Sequence, residues 1–306
     1  MNGARGGTAV RNRAKLALAA CVVAAVAALP APAAPAEHAA VGPTQVDVKL
    51  VIATDISLSI DDEEAQIQRQ GIADLFLDPE VIKAIQSGPL GVIAVSMLDW
   101  AGYGENKVVL DWTLVNDKAS AATLSAKIRG IGRIPGKRTS ISDALERSFA
   151  MIEESDGQIV AARRVVDVSG DGPNNDGYSL QELHDKIANN GITVNGLPIM
   201  DENSDGYFAD LDKYYGACVV SGKGSFLIVV KHFNDFGPAM RRKLVVEISQ
   251  DESQIKQALR ELDPNPLLKQ VAAGKTVAQD APRLGPVAKT YPGGCDKYGG
   301  WSHEGG

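Results

Sequence analysis

The stretch VDVKLVIATDISLS, residues 46–59, decides the fold of this chain. Its first part, residues 48–54, is a mostly apolar run rich in Val and Ile, which predicts a buried strand. Its second part, residues 55–59, changes abruptly to acidic and hydroxyl side chains. In an open parallel sheet, ligands bind beyond the carboxyl ends of the strands. A functional site is therefore expected directly after this first strand.

Outward from this stretch, short apolar runs alternate with longer segments of helical periodicity. Ser140 and Asp143 have the spacing of a helix cap. This alternation is typical of a mainly parallel sheet that is covered on both faces. We predict further buried strands at residues 91–98, 164–169, 192–199 and 225–230, and helices at residues 62–76, 119–129, 141–152, 180–189, 236–246 and 251–262.

One further strand departs from the parallel pattern. Residues 107–113 follow the second strand after a short Gly-rich connection at residues 101–104, which implies an antiparallel pair. The predicted fold class is therefore α/β: a doubly wound, mainly parallel sheet with one antiparallel edge strand and helices on both faces.

The first 33 residues have the pattern of a secretory signal peptide. A basic segment precedes an uninterrupted apolar run at residues 16–29, which is too short for a permanent membrane anchor. Ala31-Pro32-Ala33 has the small-x-small pattern that a signal peptidase recognises, so we predict cleavage near Ala33. The alternative is a lipoprotein, because Leu18-Ala19-Ala20-Cys21 resembles a lipobox, although most of the apolar run follows that cysteine.

Charge and hydropathy restrict the classes of partner. Residues 1–33 contain four basic and no acidic residues, so their removal changes the formal net charge from -7 to -11. Such an acidic chain is not expected to bind nucleic acid. With no second long apolar stretch, the mature chain is predicted to be periplasmic or secreted, without a membrane span. We divide the chain into a signal peptide (1–33), a linker (34–45), one domain (46–248) and a C-terminal helix with an irregular Gly/Pro-rich tail (249–306).

Two cysteines remain after the predicted cleavage. Cys218 and Cys295 would reach an oxidising compartment, where we expect them to form a disulfide that ties the tail to the domain. The alternative is two unrelated thiols, one buried and one in the tail. Two cysteines without clustered histidines do not predict a zinc site.

Three polar segments follow or precede predicted elements in a way that indicates a metal site. Asp55, Ser57 and Ser59 follow the first strand at alternate positions, so they can face the same way in an extended turn. Thr139 directly precedes a predicted helix, and Asp171 follows a strand and precedes a glycine. Carboxylate and hydroxyl oxygens suit a hard cation, and Mg²⁺ fits best because it needs few carboxylates, with Mn²⁺ or Ca²⁺ as alternatives.

Together these motifs resemble the metal-ion-dependent adhesion site of von Willebrand factor A domains. The resemblance rests on Asp-x-Ser-x-Ser, on Thr139 before Ile141 with Ala144-Leu145, and on Asp171-Gly172, and it spans about residues 46–247. The chain is also similar to an uncharacterised branch of secreted bacterial A-type domains, through residues 168–175, 195–199 and 242–244.

The resemblance implies roles for the five candidate ligands. Ser57, Ser59 and Thr139 are expected to touch the ion directly or through water, and Asp55 and Asp171 to act mainly through water. The Ser-Gly pair before Asp171 departs from the family pattern, which usually has a Thr there. This departure leaves Asp167 as an alternative carboxylate.

The function that this site implies is metal-dependent binding of a protein partner that presents Asp or Glu. We do not expect an enzyme, because no general base is recognisable beside the candidate ligands. The alternatives are metal-assisted hydrolysis and a structural role in the cell envelope with a stabilising ion. Residues 100–103, which include Trp100 and Tyr103, could supply an aromatic rim for the partner or pack within the domain.

Overall fold

The computed structural model describes residues 42–203, 207–249 and 251–261, together with Tyr291, Gly294 and Cys295. The predicted signal peptide, most of the linker and most of the tail lie outside the described residues. No helix within the described ranges has the length and apolarity needed to cross a bilayer.

The described residues form a five-stranded sheet with the strand order β3-β2-β1-β4-β5. β1 lies at the centre and pairs in parallel with β2 and β4, and β4 pairs in parallel with β5. β3 pairs antiparallel with β2 at the edge, as the short Gly-rich connection predicts. The strands are β1 (Thr44–Asp55), β2 (Ile93–Trp100), β3 (Asn106–Val115), β4 (Ile159–Gly170) and β5 (Ile192–Pro198).

Helices follow the strands where helical periodicity predicts them. Asp61 caps the first helix: its carboxylate accepts from the Glu64 amide at 2.8 Å, and Glu64 accepts from the Asp61 amide at 2.9 Å. The helices are α1 (Asp62–Leu75), α2 (Pro79–Gln86), α3 (Lys118–Arg129), α4 (Ile141–Glu154), α5 (Leu180–Asn189), α6 (Leu211–Tyr214), α7 (Phe236–Ile248) and α8 (Glu252–Glu261), with a π-helical turn at Tyr215–Val219 and a 3-10 turn at Phe233–Asp235.

Two apolar cores cover the two faces of the sheet. In β1, Leu50 and Ile52 pack with residues of α1, α2, α3 and α7, whereas Val51 and Ala53 pack with residues of α4 and α5. This alternation places successive side chains of a strand on opposite faces. Burial of each large apolar side chain contributes about 1.5–3 kcal/mol. The predicted doubly wound α/β fold is confirmed.

Two local predictions need correction. Residues 225–230 do not form a regular strand: isolated bridges pair Leu227 with Gly196 of β5 and Val230 with Ile199 just after it. The Phe226 amide donates to the Asn195 side chain at 2.9 Å, and Pro198 has no amide hydrogen, so a regular ladder cannot continue. The second correction concerns α2, α6 and the π-helical turn, which helical periodicity did not predict because these elements have only eight, four and five residues.

Candidate metal centre

The carboxyl ends of β1 and β4 meet at one edge of the sheet, because these neighbouring strands are parallel and Thr54 pairs with Ser169. The Ser59 hydroxyl donates to Asp171 Oδ1 at 2.8 Å, and the hydroxyl oxygens of Ser57 and Ser59 are 3.1 Å apart. The structure therefore brings together three of the five predicted ligands, from two separate segments of the chain.

Asp55, the last residue of β1, is fully buried in this cluster. Its Oδ1 accepts from the Ser57 amide at 2.8 Å, whereas its Oδ2 has no hydrogen-bond partner among the described residues. Burial raises the pKa of Asp55 well above its ordinary range, and the nearby charge of Asp171 raises it further. A buried carboxylate oxygen without a partner, beside a second carboxylate, is an arrangement that a cation would stabilise.

Thr139 lies in the loop before α4 and contacts the loop that begins with Asp171. Its amide donates to Asn175 Oδ1 at 3.0 Å, and its carbonyl accepts from the Asn175 amide at 2.9 Å. Asn175 belongs to the loop that begins with Asp171, and a Cβ atom on Gly172 would lie 3.8 Å from Thr139 Oγ1. The Thr139 hydroxyl therefore lies beside the Asp171 loop. The next residue, Ser140, caps α4 by accepting from the Asp143 amide at 3.3 Å, as predicted.

Gly170, directly before Asp171, lets three side chains approach the backbone closely. A Cβ atom there would lie 2.8 Å from Asp55 Oδ2, 2.8 Å from the Tyr215 hydroxyl and 3.2 Å from the Trp100 ring. The space that a side chain on residue 170 would need is therefore occupied by Asp55, Tyr215 and Trp100. Like Asp55 Oδ2, the buried Tyr215 hydroxyl has no hydrogen-bond partner in the described parts of the chain.

Tyr215 was not predicted from the sequence. Its position depends on the π-helical turn Tyr215–Val219, whose segment has no motif that marks it as part of a site. Burial raises the pKa of Tyr215 well above its ordinary range, and the nearby carboxyl group of Asp55 adds to this effect. The hydroxyl therefore keeps its proton and is available as a donor toward Asp55.

The alternative carboxylate, Asp167, lies elsewhere. It forms a buried ion pair with Lys243 of α7, and the Lys243 ammonium also donates to Glu247 at 2.6 Å. α7 packs on the face of the sheet opposite α4. Asp167 is thus held by a cation that the protein itself supplies, and the geometry favours Asp171 as the candidate ligand.

The residues present fit a hard divalent cation. The candidate set has two carboxylates and three hydroxyl groups, all oxygen donors of the kind that Mg²⁺ accepts. Within the described residues, no group of three or more His, Cys, Asp or Glu side chains is placed to hold a metal. Any metal at this edge of the sheet would therefore depend on Ser57, Ser59 and Thr139 as well as on the two carboxylates.

The surface around the candidate centre carries exposed apolar groups. Leu58 lies between the two candidate serines and is 66% exposed. Tyr103 and Tyr178 are half exposed and pack edge to face, with ring centroids 5.1 Å apart and hydroxyl oxygens 2.6 Å apart. Trp100 is fully buried, so it packs within the domain and is not part of an aromatic rim.

One known protein family matches more than half of this chain. Residues 45–252 match the family described as "Protein of unknown function (DUF1194)". The chain belongs to the DUF1194 family. The matched range contains all five candidate ligands and nearly coincides with the predicted domain at residues 46–248. No curated protein matches this DUF1194 chain.

Several solved structures are similar to this DUF1194 chain at low identity. Proximal thread matrix protein 1 from the mussel byssus has a TM-score of 0.49 and 15% identity, over 68% of this chain and 49% of that protein. The von Willebrand factor type A protein from Catenulispora acidiphila has a TM-score of 0.45 and 13% identity, over 67% and 43%. The pilus adhesin SpaC from Lactobacillus rhamnosus GG has a TM-score of 0.46 and 10% identity, over 68% and 31%. The matches thus span about half or less of these proteins.

Proposed function

We propose that this chain is an exported, metal-dependent protein-binding module of the adhesion type. Asp55, Ser57, Ser59, Thr139 and Asp171 would hold one Mg²⁺, and a protein partner would supply an Asp or Glu. The observation that carries this proposal is the unpartnered, buried Oδ2 of Asp55 beside Asp171. Two carboxylates at one buried place favour a cation between them.

The chemistry that a bound Mg²⁺ supplies is positive charge with an exchangeable coordination position. Hydrogen bonds within the protein orient the carboxylates that would bind it. The hydrogen bond from Ser59 fixes one oxygen of Asp171, and the amide of Ser57 fixes one oxygen of Asp55. Three of the five ligands are neutral hydroxyl groups, and the two carboxylates only balance the 2+ charge of the ion. The ion would therefore stay electrophilic and could accept a further carboxylate at an open coordination position.

The surroundings suit a protein partner. Leu58 and the tyrosine pair Tyr103–Tyr178 are exposed on loops at the same edge of the sheet. Partly exposed aromatic side chains with a polar tip are favoured at protein interfaces. The Cys218–Cys295 disulfide supports export, because disulfides persist in oxidising compartments.

Binding to an immobilised acidic peptide tests the proposal directly. Two peptides that differ only in Asp or Asn at one position are compared in Mg²⁺ and after chelation. The proposal predicts that the Asp peptide alone binds, only with Mg²⁺, and that Asp55→Asn protein binds neither. Equal recovery with and without chelator would refute it. Metal-induced stabilisation without any peptide or partner binding would favour the structural ion, and metal-dependent cleavage of the peptide would favour the hydrolase.

A further inference from the structure

A buried tyrosine joins the C-terminal tail to the loop that holds Thr139. Tyr214, at the end of α6, is fully buried. Its hydroxyl donates to the carbonyl oxygen of Cys295 at 3.1 Å and accepts from the Asn174 amide at 3.2 Å. One hydroxyl therefore bridges two segments that are far apart in the sequence.

Asn174 belongs to the loop that contacts the candidate metal ligand Thr139 and begins with the candidate ligand Asp171. Asn174 is buried, and its Oδ1 accepts from the Ser142 amide in α4 at 3.1 Å. The next residue, Asn175, makes the two hydrogen bonds to Thr139 described above. Asn174 and Asn175 also lie only three and four residues after Asp171. A displacement of Asn174 would therefore move the backbone that holds both Thr139 and Asp171.

The backbone at Cys295, which supplies the acceptor for Tyr214, is held by a covalent bond. Cys295 is bonded to Cys218, which lies four residues after Tyr214 in the π-helical turn. The ring of Tyr291 packs edge to face on the Tyr214 ring, with centroids 5.4 Å apart. The same turn begins with Tyr215, whose hydroxyl lies beside Asp55. The disulfide thus holds both the acceptor of Tyr214 and the segment that carries the two tyrosines.

We propose that Tyr214 is a positioning residue for the metal centre, and that the Cys218–Cys295 disulfide acts on the centre through it. This inference rests on the proposed function, because it assigns support to the same site. When the disulfide is lost, the Cys295 carbonyl is no longer held against the Tyr214 hydroxyl. A buried hydroxyl that loses its acceptor is left with an unsatisfied donor, and the hydrogen bond that it accepts from the Asn174 amide loses cooperative strengthening, so the Asn174 loop and Thr139 gain freedom. The consequence is weaker metal binding in a protein whose sheet is intact.

A double-mutant cycle on the full chain tests this coupling. The first variant is Tyr214→Phe, which keeps the ring that packs on Tyr291 and removes only the hydroxyl. The second replaces both Cys218 and Cys295 with Ser, and the third combines the two changes. Tyr207→Phe, which removes the hydroxyl of an exposed tyrosine, is the matched control. Mg²⁺ affinity is measured by calorimetry, and amide exchange of Thr139 and Asn174 by NMR without metal.

We expect Tyr214→Phe and the serine pair each to weaken Mg²⁺ binding about fivefold, as for the loss of one buried hydrogen bond. The Mg²⁺ affinity of the combined variant should be no more than about twofold below that of either of the first two variants, because both changes remove the same link. Exchange should accelerate at Thr139 and Asn174 and stay slow at Val166 in β4, a difference that general destabilisation would not produce. Tyr207→Phe should match the wild type.

Two outcomes overturn the coupling. The first is unchanged Mg²⁺ affinity in Tyr214→Phe, and the second is independent, multiplying losses in the cycle. If the serine pair fails to fold, Tyr214→Phe with its disulfide intact decides the matter by affinity and exchange. Wild-type protein that binds no Mg²⁺ overturns the proposed function and this inference together. If the wild-type protein binds Mg²⁺ and the variants bind it with the same affinity, the inference alone is overturned.

Discussion

The Ser59 hydroxyl donates to Asp171 Oδ1 at 2.8 Å, across a sequence separation of 112 residues. This contact joins the loop after β1 to the loop after β4 and fixes one oxygen of a carboxylate that lies near Asp55. Because Asp55 and Asp171 are both buried, their mutual repulsion destabilises the metal-free protein. A cation bound between these two carboxylates would relieve that repulsion.

Mg²⁺ should raise the melting temperature of the wild-type protein. At a concentration of about 100 times its dissociation constant, a ligand that binds only the folded state stabilises it by about 2.7 kcal/mol. For a domain of this size, this corresponds to roughly 5–10 °C. Asp55→Asn should abolish the shift, and should leave the metal-free protein at least as stable as the wild type, because it removes the buried charge. Thermal unfolding with Mg²⁺ and with chelator measures both effects. The exposed Asp111→Asn serves as control, and a full shift in Asp55→Asn would place the ion elsewhere.

Thr139→Ala should weaken Mg²⁺ binding about tenfold and reduce recovery of an acidic partner. The hydroxyl is one of three neutral oxygens in the set, whereas both hydrogen bonds to Asn175 use the Thr139 backbone and survive the substitution. The metal-free melting temperature should therefore change by only a few degrees. Calorimetry and melting curves decide this, with Thr123→Ala on the exposed face of α3 as the matched control. A variant that keeps wild-type affinity would remove Thr139 from the ligand set.

Leu58→Ser should separate partner binding from metal binding. The side chain is 66% exposed, so its loss should change the free energy of unfolding by no more than about 0.5 kcal/mol. Mg²⁺ affinity should stay at the wild-type value, while capture of the acidic peptide or partner weakens. Leu77→Ser, an exposed leucine just after the far end of α1, is the control and should preserve capture. Unchanged capture by Leu58→Ser would exclude this side chain from the docking surface.

The buried cluster of Asp167, Lys243 and Glu247 should make the free energy of unfolding depend on pH. Burial raises the pKa of Glu247 well above its ordinary value of 4.5, and the charge of Asp167 adds to this effect. As pH rises above 4.5, the unfolded chain releases this proton before the folded protein does. The contribution of Glu247 is thus complete below that value and declines as pH rises toward the folded-state pKa.

Glu247→Gln should make this decline shallower, because its amide does not titrate. Urea unfolding of the chelator-treated protein at several pH values measures the slope. Asp55 contributes a decline of the same sign, so the slope should fall without vanishing. An identical slope in Glu247→Gln and wild type would show that this carboxyl group has no raised pKa.

The sequence was sufficient to predict the order of the major elements. The apolar run at residues 48–54 predicts a strand correctly. Both faces of β1 are buried, which requires apolar side chains at nearly every position. Helical spacing predicted α1, α3, α4, α5, α7 and α8 within a few residues. It missed α2 and the segment from α6 through the π-helical turn, where the elements are too short for periodicity to appear. At residues 225–230, Asn195 and Pro198 prevented the predicted strand.

The sequence by itself also predicted the candidate ligands Asp55, Ser57, Ser59, Thr139 and Asp171, with Asp167 as an alternative to Asp171, because polar residues at strand ends and before helices stand out against apolar runs. Only the tertiary structure decided which carboxylate joins them: it pairs Asp167 with Lys243 and places Asp171 beside Ser59. It alone revealed that Tyr214 contacts the Asn174 loop and that the Tyr215 hydroxyl lies near Asp55, because both residues come from a segment without a recognisable motif. The physical reason is that strand periodicity is a local property of the chain, whereas the partner of a buried hydroxyl or carboxylate is set by packing between distant segments.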